Sequence, residues 1–209
     1  PDKNNKLFQW VTLMTGSKNA VKGFGFLLGS LLLAFLGFQL SLILMAGLLS
    51  IILTLVFVYL NNDFSKIKKD VKFSEVFSKN KNINYLSFGS VFLFGGGDTW
   101  LVVGVAVFLY SMISDGSIDA NKKAFFVIGT FMAVWTIFYG FVQGITPKIL
   151  SQNESIGKQT KYWASLLIGI PILLLLLSLY FEEYKLYITI SVLFIFGFVF
   201  AVNSSLHSF

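Results

Sequence analysis

Long apolar runs, separated by shorter polar segments, set the pattern of this chain. The runs are Ala20 to Phe38, a second that ends at Leu60, Tyr85 to Ile113, Ala124 to Ile145, Trp163 to Phe181, and Leu186 to Val202. Each is long enough to cross a hydrocarbon layer of about 30 Å as an α-helix. The pattern therefore predicts an all-α, polytopic membrane protein with six transmembrane helices.

The connections between the runs differ in length and in charge. Residues 37–41, between the first two runs, carry no charge, which predicts a tight turn at one membrane face. Residues 61–84 form the only connection long enough to be a linker, and they contain six lysines. We expect two halves of the protein to meet at this linker.

The lysines are distributed unevenly if each run crosses the membrane once. Three of the sixteen, Lys122, Lys123 and Lys185, fall on one side, and the remaining thirteen fall on the other. Positively charged loops tend to stay in the cytoplasm. The start of the chain and the linker are therefore predicted to be cytoplasmic, and the acidic turn at Glu182 is predicted to face outward.

Composition narrows the classes of function. Hydrophobic residues make up 56% of the 209 residues and charged residues 12%, which is about half of the charged share usual in soluble domains. The formal charge of +6 comes from lysines in loops. The chain has no arginine, whose guanidinium group can bind a phosphate with two hydrogen bonds, so we expect no nucleic-acid partner. The chain has no cysteine, one histidine, and no phosphate loop or nucleophile motif. We therefore expect no metal, no cofactor and no enzymatic activity, and instead a lipid bilayer and a small-molecule substrate as partners.

Small residues and one acid interrupt the apolar runs. Gly25 and Gly29, four residues apart, predict together with Gly23 and Ser30 the close packing of another helix. The three glycines at 95–97 weaken a helix by about 1 kcal/mol each relative to alanine, so either the backbone unwinds there or the glycines pack tightly. Asp98 follows them. A carboxylate at bilayer depth costs on the order of 3 kcal/mol, which favours a cavity and a proton-coupling role over a position near the membrane boundary.

Other polar residues within the apolar runs are candidates for the lining of a transport path. Tyr139 and Gln143 lie one helical turn apart near the end of the fourth run. Asn203 and His207 lie at the predicted cytoplasmic end of the sixth run. The histidine could relay protons near neutral pH, or both residues could belong to a solvated helix end.

Five stretches carry a resemblance to a known family. They are Leu13 to Gly29, Val76 to Ser87, Phe92 to Leu109, Trp135 to Pro147, and Val202 to Ser208. The chain resembles the major facilitator superfamily, and within it the organoarsenical efflux permeases of the ArsJ type. Such proteins have twelve helices in two bundles, so the resemblance implies an internal piece that holds helices five to ten. Residues 1–60 would end the first bundle, 61–84 would connect the bundles, and 85–209 would begin the second.

The resemblance also implies an activity. It indicates a multi-pass protein of the cell membrane that exports an organoarsenical, the adduct of arsenate with a phosphorylated three-carbon metabolite, in exchange for protons. The substrate and proton path would comprise Asp98, Trp100, Tyr139, Gln143, Asn203 and His207. The sequence departs from the family at Gly97, where an arginine is expected, and at Ala106, where a proline is expected. Lys18 and Lys22 would then attract the anion as point charges.

Two alternatives stay open at the level of the sequence. The first is an exporter of the same superfamily with another cargo, such as a drug or a sugar phosphate. The second is a truncated membrane protein that spans the bilayer without transporting, because six helices alone cannot enclose a cavity between two bundles.

Overall fold

The structure, a computed structural model, describes residues 3–59, 78–150 and 155–207. These residues form helices joined by short loops, with no strand among them. The helices are α1 (Lys3–Tyr59), α2 (Lys81–Asp98), a π-helix (Thr99–Val105), α3 (Ala106–Ile113), α4 (Ile118–Ile149), α5 (Ile156–Tyr180), a 3₁₀ turn (Glu182–Tyr184) and α6 (Lys185–His207). The predicted linker at 61–84 lies largely outside the described residues.

Five helical stretches in this described part are long and apolar enough to cross a membrane. The prediction of an all-α chain built from apolar, membrane-type helices is thereby confirmed. The first stretch, Lys6–Tyr59, has 54 residues and would be about 80 Å long if it were straight, far more than a single crossing of about 30 Å requires. It contains two of the six predicted runs, so the count of six stays a prediction.

A single residue, Gly37, interrupts α1. Its backbone angles are φ 74° and ψ 178°, a conformation that is open to glycine and strained for any residue with a Cβ. The hydroxyl of Ser41 donates a hydrogen bond to the Gly37 carbonyl oxygen at 2.6 Å. The break lies where the uncharged pattern at 37–41 predicts a turn, and it separates the first two predicted runs.

The third predicted run is helical throughout, but its hydrogen-bonding pattern changes after Asp98. The glycines at 95–97 lie within the α-helical part, so the unwinding considered there is not observed. Tight packing at Gly95 and Gly96 is not observed either, because an added Cβ at either would meet no atom of the described residues within 4 Å. The irregularity is instead the π-helix Thr99–Val105, a wider turn of the kind often found at functional positions.

The described residues form two compact units, which we describe separately. One contains residues 3–28, 127–150 and 155–207, and so combines the start of α1 with most of α4 and with α5 and α6. The other contains the described residues within 29–126. Within the first unit, α4 and α6 are the most deeply buried of the candidate spans.

The helix directions in the first unit can be derived from its contacts. Gly16 lies against Gly140, and Gly23 lies against Ala133, so α1 and α4 are antiparallel. The α4 and α6 helices are parallel, since Trp135 bonds to Leu193 near the start of α6 and Gln143 bonds to Ser204 near its end. These directions are the ones that alternate crossing predicts for the first, fourth and sixth runs.

A glycine seam, formed by Gly16, Gly23 and Gly140, joins α1 to α4. A Cβ added at Gly140 would overlap the Gly16 carbonyl oxygen and lie 2.9 Å from the Ala20 nitrogen. Small residues allow this close approach of two backbones in a membrane. Of the predicted packing group, Gly23 belongs to this seam, whereas an added Cβ at Gly25 or Gly29 would meet no described atom within 4 Å.

Aromatic rings fill the space between α4 and α6. Trp135 stacks on Tyr139 with ring centroids 5.5 Å apart, and Tyr139 packs on Phe200 at 5.4 Å. Gly197 makes room for the indole, because a Cβ at that position would lie 2.9 Å from the Trp135 Nε1 atom. The indole N–H donates to the Leu193 carbonyl oxygen at 2.8 Å, which satisfies the polar atom of this otherwise apolar contact.

The glycine seam yields a stability prediction. We expect Gly140→Ala to lower the thermal unfolding midpoint of the purified protein in detergent, because the new methyl group would press on backbone atoms that cannot rotate away. Overpacking of this kind costs about 1–3 kcal/mol. Gly25→Ala is the matched control. It adds the same methyl group to the same helix, in open space, and should leave the midpoint unchanged or raise it. Equal shifts in both variants would contradict the seam.

Candidate functional site

Buried polar side chains gather where α1, α4 and α6 of the first unit face one another. The two amides among them, Asn203 and Gln143, are 1% and 2% exposed. The other buried polar residues on these helices are Thr12, Thr136, Tyr139, Thr146, Thr189, Ser204 and Ser205. Every buried polar side chain in the described part of the chain is uncharged. The interior of this unit therefore offers hydroxyl and amide groups rather than ionic ones.

Gln143 is the centre of a hydrogen-bond network that joins the three helices. Its Oε1 atom accepts a hydrogen bond from Asn19 Nδ2 of α1 at 2.5 Å. Its Nε2 atom donates to Tyr139 Oη at 3.0 Å and to Ser204 Oγ of α6 at 2.8 Å. The two hydroxyls lie 2.7 Å apart. We call these four residues the Gln143 network.

Local structure explains why these four side chains meet. Tyr139 and Gln143 are four residues apart on α4 and thus lie on one helix face. The glycine seam brings α1 close enough for Asn19 to reach Gln143, since Gly16 and Gly140 flank the contact. The Trp135 bond to Leu193 sets the alignment of α6 against α4, which brings Ser204 level with Gln143.

The network lies near one end of the predicted apolar runs. Asn19 directly precedes the first run, Gln143 is two residues from the end of the fourth, and Ser204 is two residues past the end of the sixth. Gln143 and Tyr139 precede Lys148, the first charged residue at this end of α4, by about 8 and 14 Å along the helix axis. An amide without partners at such a depth would be costly. The hydrogen bonds within the network remove this cost for Gln143.

Asn203 and His207 differ from the Gln143 network because they lack partners. Neither the Nδ2 nor the Oδ1 atom of Asn203 has a hydrogen bond to any residue that the structure describes. The same holds for Nδ1 of the half-buried His207. The two residues are four apart on α6, so their side chains share one face. Buried polar atoms without partners are uncommon, and each calls for an explanation.

The predicted site residues fall into two groups. Tyr139 and Gln143 are in direct contact, and Asn203 and His207 flank Ser204 of the same network. The other two lie in the second compact unit, where Asp98 is exposed at the end of α2 and Trp100 is half-buried in the π-helix. The structure thus brings Tyr139 and Gln143 into contact and places Asn203 and His207 on the same helix as their partner Ser204, and a role for Asp98 stays a prediction.

Two predicted residues, Lys18 and Lys22, lie outside the Gln143 network, and two residues that were not predicted belong to it. Lys18 and Lys22 are exposed on α1, and Lys22 Nζ lies 5.9 Å from the centroid of the Phe26 ring. Neither belongs to the network, and attraction of an anion by them stays a prediction. Sequence reasoning missed Asn19 and Ser204. Asn19 lies midway between Gly16 and Gly23 on one helix face, a spacing that could have indicated it.

The residue types at the site suit hydrogen bonding rather than metal chemistry. Among the described residues there is no group of three or more His, Asp or Glu side chains that could hold a metal ion. The chain matches no family model, no curated protein and no solved structure. What the site does must therefore be inferred from its own chemistry.

The Gln143 network yields a second prediction. We expect Gln143→Leu to lower the unfolding midpoint, because it removes three hydrogen bonds and takes from Asn19 its bond to α4, while Tyr139 and Ser204 keep their bond to each other. Each buried polar group left without a partner costs about 1–3 kcal/mol. Thr146→Val is the matched control, since Thr146 is equally buried but donates only to the Val142 carbonyl oxygen of its own helix. If both variants unfold at the same temperature, the network does not join the helices.

Proposed function

We propose that this chain is part of a secondary active transporter of the major facilitator type, in which α1, α4 and α6 line a path for a polar solute. The observation that carries the proposal is the neutral polar cluster, the Gln143 network with Asn203 and His207, inside helices that are otherwise apolar. Neutral polar side chains join membrane helices, and unwound or polar positions between such helices also form the substrate sites of transporters. Helices that served only as anchors would have no need of such a cluster.

Gln143 and Asn203 differ in whether their amide atoms have hydrogen-bond partners, and this difference supports transport over a purely structural role. A structural network stabilises a fold when all of its members are paired. Here Gln143 is paired on both of its amide atoms, whereas Asn203 is paired on neither within the described residues. A transporter needs groups of the second kind, because they can exchange partners as the substrate enters and leaves.

The proposed cargo rests on the resemblance to the organoarsenical permeases. Two of the five resembling stretches, Trp135 to Pro147 and Val202 to Ser208, contain Tyr139, Gln143, Asn203 and His207. On this proposal the chain holds helices five to ten of a cell-membrane exporter. It moves an arsenate adduct of a phosphorylated three-carbon metabolite outward in exchange for protons, with Asp98 as the acid that binds the proton.

Transport can be tested in everted membrane vesicles that contain the complete protein. When the vesicle interior is made acidic, we expect vesicles with the protein to accumulate the arsenate adduct of a phosphorylated three-carbon metabolite, and vesicles without it not to. A drug or a sugar phosphate offered under the same gradient separates the alternative cargoes. Absence of uptake for all three would leave a membrane protein that does not transport, and the proposal would fail.

Proton coupling is tested by Asp98→Asn, which we expect to abolish uptake driven by the pH gradient. Asp115→Asn is the matched control, because Asp115 is an exposed acid of the loop between α3 and α4. The backbone N–H of Ser117 donates to Asp115 at 2.9 Å and, with the Ser117 hydroxyl, lowers the pKa of this carboxyl. Asp115 therefore stays ionised throughout the assay range, and its loss should not alter the pH profile. Unchanged transport by Asp98→Asn would remove the proposed role.

A further inference from the structure

Asn203 and His207 carry the buried polar atoms that lack partners among the described residues, on one face near the end of α6. Asn203 is 1% exposed and offers one donor and one acceptor. His207 lies one turn further along α6, and its Nδ1 atom is the second unsatisfied group. Both amide atoms of Asn203 and the Nδ1 atom of His207 are thus without partners in the described part of the chain.

The neighbouring polar groups are already engaged. Gln143 uses its Oε1 atom on Asn19 and its Nε2 atom on Tyr139 and Ser204. Ser205, which follows in α6 and is 2% exposed, donates to the Ala201 carbonyl oxygen at 2.9 Å. Among the described residues, the neighbours therefore have little left to offer Asn203, so its amide is available to a ligand.

The chemistry of the pair defines the class of that partner. A planar amide presents a donor and an acceptor side by side, and a hydroxyl group is likewise both donor and acceptor. No buried side chain of the described residues carries a charge, so these residues do not neutralise a phosphate or an arsenate. The ligand group that fits is an uncharged hydroxyl.

We propose that Asn203 and His207 form a subsite that binds a hydroxyl group on the carbon skeleton of the transported molecule. This inference rests on the proposed transport function and names the part of the substrate that these residues recognise. A site built to bond a hydroxyl discriminates strongly against an analogue that lacks it, because its own polar groups are then left unpaired. Specificity at this position therefore depends on the hydroxyl rather than on charge.

Two phosphate esters of equal charge and equal carbon number test the subsite. Glycerol 3-phosphate carries hydroxyls on its three-carbon chain, and propyl phosphate carries none. Each is added as a competitor of arsenical uptake by the complete protein in everted vesicles. We expect glycerol 3-phosphate to inhibit the wild-type protein at a concentration at least about tenfold lower than propyl phosphate. In Asn203→Leu that preference should disappear, with the two esters equally weak.

Ser205→Ala is the matched control, because Ser205 is a neighbouring buried residue of the same helix whose hydroxyl is satisfied within α6. It should retain the preference. Unfolding temperature gives a readout that is independent of transport. Because an unpaired buried amide is destabilising, Asn203→Leu should unfold at the wild-type temperature or above it while it loses discrimination.

These experiments distinguish a failure of this inference from a failure of the proposed transport function. If the wild-type protein transports but does not distinguish the esters, or if Asn203→Leu retains the preference, the inference is overturned and transport stands. A clear fall in the unfolding temperature of Asn203→Leu would show that Asn203 has a structural partner, and would overturn it too. If the wild-type protein transports no cargo, both proposals fail together.

Discussion

A primary amide buried between membrane-type helices must find its hydrogen-bond partners among those helices, because hydrocarbon offers none. Gln143 meets this condition with one partner on α1, one on its own helix and one on α6. That requirement determines much of the first compact unit. It demands a close approach of α1, which only glycines at the contact permit, and a longitudinal position of α6 that brings Ser204 level with Gln143.

The apolar contacts act in the same direction as the polar ones. Trp135 packs against Gly197 and donates to the Leu193 carbonyl oxygen, so that one side chain contributes both ring packing and alignment between α4 and α6. Tyr139 belongs to the aromatic stack through its ring and to the Gln143 network through its hydroxyl. Polar and apolar contacts thus reinforce one arrangement of the helices, as expected for a uniquely folded core.

On the proposed function, the amide of Asn203, which is unpaired among the described residues, is the feature that connects structure to transport. Fully paired groups hold helices together, whereas a group without a protein partner retains its binding capacity for a ligand. The contrast between Gln143 and Asn203, which differ by one methylene, arises from their surroundings rather than from their chemistry. In the proposed transporter, Gln143 would join the helices and Asn203 would contact the substrate.

The sequence by itself determined that this is an all-α chain of membrane-type helices, because long apolar runs have no other stable environment than lipid. It also indicated the break at Gly37, and it selected Tyr139, Gln143, Asn203 and His207, because polar residues stand out in apolar runs. Which glycines pack was a matter for the tertiary structure. Gly25 and Gly29 have the expected spacing, yet the seam uses Gly16, Gly23 and Gly140, since spacing places residues on a face without specifying which face meets a neighbour. The partners Asn19 and Ser204 of Gln143, and the lack of any partner for Asn203 in the described part of the chain, likewise depend on the relative rotation and alignment of three helices, which no local pattern encodes.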